Sequence, residues 1–179
     1  MYNLNKNSQR IFLRILFIVT LGVLPFLLKK PPRRDWIIVF VYNAVTNGIL
    51  DRMIVKRKTV QYPVRPLPKL FKIHVLFDFL VYPTITIIIN QLTYKVKPLM
   101  IFFKLFYIII PMLFIELWAE RKTDLVKWKK GWEWYHTLAS LTAKSLLTRL
   151  VIAVIRYVRE KKEVARNEKE KNSTKELFS

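Results

Sequence analysis

The sequence predicts an all-α fold, a helical membrane bundle of four transmembrane helices plus one amphipathic helix, with five transmembrane helices as the alternative. Three observations predict it. Of 179 residues, 53% are hydrophobic. The same chain carries 32 Lys and Arg against 12 Asp and Glu, a formal charge of +20. These two excesses are segregated, with apolar blocks near the roughly 20 residues that cross a bilayer core and basic residues mostly between them. A soluble domain rarely combines both extremes. Charges placed between apolar blocks point to anionic lipid headgroups as partner and away from nucleic acid, whose phosphates call for a basic face. The chain has no Cys, which excludes disulfides, a thiolate nucleophile and Cys-type metal sites.

The first span, about 11–28, contains Arg14 and follows Lys6 and Arg10, so the N-terminus imitates a signal peptide. No small-x-small cleavage site follows the apolar run, which ends in KKPPRRD, and a retained membrane segment is expected. The second span, about 36–55, begins WIIVFVYNAVTNGIL. The third, about 71–89, contains His74 and Asp78, and the fourth, about 99–118, contains Lys104. Pro25, Pro83 and Pro111 fall in the first, third and fourth spans and are expected to kink them.

The fifth block, about 137–158, differs. Lys144, Ser145, Thr148, Arg149 and Arg156 occupy one half of a helical wheel, and Ala139, Ala143, Leu146, Leu147, Leu150, Ala153 and Val154 the other. This amphipathic pattern suits the interface or a bundle edge. Residues 1–158 thus form one helical transmembrane domain, and 159–179 a charged tail expected to fray or be disordered. The Lys and Arg of the connections divide almost evenly between the two sides if all five blocks cross. They concentrate on one side if the fifth lies on the surface, which by the positive-inside rule places both termini in the cytoplasm.

That topology gives each intramembrane polar group a depth. Arg14, Asn47, Asp51, His74, Asp78, Glu116 and Glu120 all fall in the cytoplasmic half, as a candidate polar cluster. Residues four apart share a helix face, so Asn43, Asn47 and Asp51 form one stripe, His74, Asp78 and Tyr82 a second, and Glu116, Glu120 and Asp124 a third. Such stripes face protein or water. Two readings stay open. The carboxylates either pair with Arg14, Arg52, Arg121 or the basic face of the fifth helix and hold the bundle together, or His74, Asp78, Glu116 and Asp51 bind a cation or relay protons. Neither HExxH nor a Gly-rich phosphate loop nor a nucleophile elbow is present, and there are only two His. No catalytic residue, resident metal or cofactor is predicted.

Trp118, Lys127, Trp128, Lys129, Lys130, Trp132 and Trp134 form an expected aromatic and cationic anchor at the headgroups. The loop VKRKTVQYPVRPLPK, with Pro63, Pro66 and Pro68, is expected to be extended and close to anionic lipid.

The phrases PPRRDWIIVFVYNAVTNGILDR, YPVRPLPKLFKIHVLFDFLVYPT and IELWAERKTDLVKWKKGWEWYH resemble, over most of residues 11–158, a family of small uncharacterised multi-pass membrane proteins of Bacillus-type spore-forming Gram-positive bacteria. The resemblance implies a helical bundle in a bacterial cytoplasmic membrane and transfers no reaction. The expected role is a non-enzymatic membrane or partner-interaction protein, working with the bilayer, with a second copy of itself or with another membrane protein. The alternatives are a small transporter or ion-conducting subunit using the polar cluster, and third a lipid-modifying membrane enzyme.

Overall fold

In the computed structural model, residues 5–66, 70–129 and 131–177 are described, with side chains as far as residue 168. The fold is an all-α helical bundle. Its helices are α1 (Lys6–Lys29), α2 (Arg33–Lys56), α3 (Tyr82–Leu92), α4 (Pro98–Lys122) and α5 (Trp134–Leu177). A π-helical turn, Phe77–Val81, leads directly into α3. Two short strands, β1 (Val60–Gln61) and β2 (Lys127–Trp128), pair antiparallel, Val60 opposite Trp128 and Gln61 opposite Lys127.

Among the described residues four helices are long and apolar enough to cross a membrane, namely α1, α2, α4 and α5 over Trp134–Glu168, so this is a multi-pass membrane protein. The membership differs from the sequence expectation. The fifth block is among the four, whereas the third forms only the shorter helix Phe77–Leu92, because its predicted start at residue 71 is a loop that still contains His74. The helix of the fifth block also runs past residue 158 to Leu177. Lys, Arg, Glu and Ala are good helix formers, and Glu160 and Glu163 lie near enough to Arg159 to support the extension electrostatically.

Side-chain exposure fits a lipid solvent. Ile18 (67%), Phe26 (70%), Phe103 (65%), Tyr107 (79%) and Phe114 (65%) stand bare on the outside, far more apolar surface than a soluble monomer leaves uncovered. The interior carries Asn43, Asn47, Thr86, Asn90, Thr93 and Thr148, all under a tenth exposed. Lipid tails are as apolar as leucine, so burying leucine does not by itself join such helices. Close packing and interhelical hydrogen bonds do. Gly48 illustrates the packing: a Cβ there would lie 2.6 Å from Cζ of Phe79, so the ring of the π turn seats against the bare backbone of α2 and would have to move for any side chain at residue 48.

α1 and α4 run continuously through Pro25 and Pro111. At Pro83 the chain changes helix type. The Tyr82 N–H donates five residues back to the Phe77 carbonyl, and the next donor in that pattern would be residue 83, which has no N–H. The Asp78 carbonyl thereby loses its backbone partner and accepts from Asn47 Nδ2 of α2 at 3.1 Å.

Successive helices run up and down. At one end, the loop end, Gln9 of α1 accepts from the Asp124 N–H beyond α4 at 3.0 Å, and β1, after α2, pairs with β2, after α4. There the Val64 N–H donates to the Asp124 carbonyl at 2.8 Å, a pairing of two loops that their composition does not announce. At the opposite end Gln91 of α3 donates to the Leu27 carbonyl of α1 at 2.8 Å, and Lys104 of α4 to the Leu92 carbonyl at 3.0 Å.

Candidate functional site: a polar seam through the bundle

The polar groups lie along a seam that α5 shares chiefly with α2, and also with α4 and the end of α3. At the loop end Thr137 donates to Glu116 of α4 at 3.0 Å. Midway, Thr148 donates to Asn43 of α2 at 3.2 Å, and Arg149 to Thr93 at 2.6 Å. At the far end Arg156 and Arg159 bond both oxygens of Asp35, the latter at 3.0 Å. Asp35 is 1% exposed, although it stands in the first turn of α2. As the partner on α2 moves from Asn43 to Asp35, the partner on α5 moves from Thr148 to Arg156, so the helices run antiparallel in step. From Thr137 to Arg156, α5 rises about 28 Å, the depth of a bilayer hydrocarbon core.

The polar half of α5 therefore faces protein. Thr137, Ser145 and Thr148 are at most 3% exposed, while Leu147, Leu150 and Val154 are more than half exposed. A helix lying on a membrane surface needs the reverse, its polar half in water and its apolar half covered.

At the loop end the predicted cluster divides. Asp51 accepts from the Tyr62 hydroxyl at 2.7 Å and from the His74 backbone N–H at 3.4 Å, and its carboxyl lies within hydrogen-bond reach of that of Asp78. Lys144 of α5 acts electrostatically on both carboxyls. Burial pushes the Tyr62 hydroxyl well above its ordinary range, and the negative charge of Asp51 adds to this. Burial pushes the His74 imidazole down to about 4, so it is neutral at neutral pH. Glu116 forms a second group, accepting from Trp128 Nε1 at 3.2 Å as well as from Thr137, which in turn accepts from Trp132 Nε1 at 3.0 Å.

Several expected placements change. Arg14 is exposed on α1, and among the described residues neither it nor Arg52 nor Arg121 forms an ion pair with these carboxylates. On α5, Lys144 faces Asp51 and Asp78, whereas Arg156 and Arg159 pair with Asp35, which stands outside the predicted cluster at the other end of the bundle. Its position on the α2 face of Val39 and Asn43 was the available signal. Glu120 is half-buried, with its backbone carbonyl taking Lys127 Nζ at 2.8 Å, and the stripe stops there because α4 ends before Asp124. Of the predicted anchor, Trp118 and Trp134 are exposed (45% and 49%), as is Lys129. Trp128 and Trp132 turn inward as donors instead. Lys130, like Pro68 of the basic loop, lies outside the described residues. No three His, Asp or Glu side chains converge to hold a metal ion among the described residues.

No protein-family profile, curated protein or solved structure matches the chain.

Proposed function

We propose that this chain is a non-enzymatic protein of a bacterial cytoplasmic membrane that crosses the bilayer five times and works by interaction. Its loop end meets anionic headgroups, and its bare apolar faces meet lipid, a second copy or a membrane-protein partner. The observation that carries this reading is the direction of the polar side chains, which turn inward and bond one another along the α2–α5 seam while apolar side chains cover the outside. The resemblance of the sequence phrases supports the bacterial membrane. A small transporter or ion-conducting subunit is the second reading, favoured by the approach of Asp51 to Asp78.

Five crossings put residue 5 and residue 168 on opposite sides. With single cysteines replacing Asn5, Lys129 or Glu168 in a chain that has no native Cys, an impermeant maleimide should reach the first two from one side and the third from the other. Labelling of all three from the same side would return α5 to the membrane surface.

The headgroup contact rests on exposed Lys56, Arg57, Lys58 and Lys129 beside exposed Trp118 and Trp134 at the loop end. Each near-surface cation contributes about 1 kcal/mol toward an anionic leaflet. Titrating the detergent-solubilised protein with short-chain phosphatidylglycerol should give a saturable tryptophan fluorescence change that weakens with salt. Replacing all four cations by Gln should weaken it by about a hundredfold or more. An equal response to phosphatidylcholine would remove the headgroup reading.

A further inference from the structure

The contact between Asp51 and Asp78 has an unbalanced charge. α2 supplies Asp51, 7% exposed, and the π turn supplies Asp78. The carboxyls lie within hydrogen-bond reach, although neither carboxylate oxygen carries a hydrogen to give. Oδ2 of Asp78 is fully buried and meets no donor. Around the pair stand Tyr62 and His74 from the loop, Lys144 from α5 and, acting on Asp51 from α4, Glu116. Lys144 Nζ lies 5.2 Å above the ring of Tyr82, one turn along from Asp78. Among the described residues it is the single ammonium that acts on both carboxylates. Arg65 donates to the Phe71 and Tyr62 carbonyls near His74. His74 is 2% exposed, its Nδ1 takes the Phe77 N–H at 3.5 Å, and its buried Nε2 is unpartnered. The imidazole adds no positive charge at neutral pH.

An unbalanced negative charge in a low-dielectric interior is costly, and two like charges in contact make it more so. One further positive charge removes both penalties. With the Lys144 ammonium already facing the two carboxylates, a divalent ion would overshoot their charge, whereas a single further positive charge balances it. We propose that the Asp51–Asp78 pair is a binding site for one monovalent cation, a proton or an alkali ion, held between the two carboxyl groups. Ionisable residues inside a membrane mark ion and proton paths, and single-turn π bulges recur at functional sites. The bound charge also ties α2 to the π turn, so its loss would loosen the contact that Gly48 and Asn47 make there.

Infrared spectroscopy of the purified full chain in nanodiscs at neutral pH tests the site and separates the two ions. A bound proton gives a protonated-carboxyl C=O band that shifts down in D2O and persists in sodium, potassium or N-methylglucamine buffer. A bound alkali ion gives no such band in sodium or potassium and a new one when N-methylglucamine replaces them. In either case Asp78→Asn should abolish the band, and should abolish any alkali-ion dependence of the thermal midpoint. A wild-type protein with neither a protonated-carboxyl band nor any response to alkali ions would overturn the proposal, and that reading needs no variant to fold. A band that survives in both Asp78→Asn and Asp51→Asn would place the proton elsewhere and overturn it as well.

Discussion

Replacing Asp35 by alanine should destabilise the folded bundle by about 3–5 kcal/mol, the usual consequence of stripping one partner from a buried ion pair. Asp35 is 1% exposed and takes guanidinium groups from both Arg156 and Arg159. Without it, Arg156 stays over the rings of Trp36 and Tyr94, at 5.6 and 4.4 Å from their centroids, and has no counter-charge. Arg159→Ala should cost less than about 1 kcal/mol, because this side chain is one-third exposed and Asp35 keeps its bond to Arg156. Membrane abundance and the thermal midpoint in detergent would read both variants. Equal behaviour of Asp35→Ala and Arg159→Ala would mean that the far end of α5 is not fixed by this pair. If it is, Arg156→Met should partly restore Asp35→Ala by removing the stranded charge.

Trp36→Ala is the second large loss, about 3–5 kcal/mol. Trp36 is 1% exposed and packs with Val39, Ile87 and Ile152, flanked by Leu24, Leu27 and Tyr94, whose ring it meets edge-on at 6.0 Å. Since packing drives helix association in lipid, a cavity where α1, α2, α3 and α5 meet removes the main attraction at that end. Trp36→Phe should be mild, because it keeps most of the ring and deletes Nε1, a buried donor with no partner. A phenylalanine variant as damaged as the alanine variant would show that the indole N–H is bonded in the membrane. Combined with Asp35→Ala, the loss should be less than additive, as Arg156 touches both sites.

What the sequence made legible follows from local rules. Block length and hydropathy predicted membrane helices, since a span needs about 20 apolar residues wherever it packs. The four-residue spacing of Asn43, Asn47 and Asp51 predicted a polar stripe on α2, and the structure buries all three. The gathering of Asn47 and Asp51 at one end with His74, Asp78 and Glu116 followed from alternating helix direction.

Other features depended on partners distant in sequence. The pairing of Val60 with Trp128 joins two loops that no local signal connects. Pro83 announced a disturbed helix, but that it frees the Asp78 carbonyl for Asn47 required α2 to lie alongside. For α5 the sequence determined that one half of the helix is polar and the other apolar, and the tertiary structure decided which half is covered. Water and a polar protein interior both accept Thr148, Arg149 and Arg156, so the pattern alone is the same for a surface helix and for a crossing helix with its polar face inward. Asn43 and Asp35, placed on α2 at the depths of Thr148 and Arg156, turn that face into the bundle and leave Leu147, Leu150 and Val154 to the lipid.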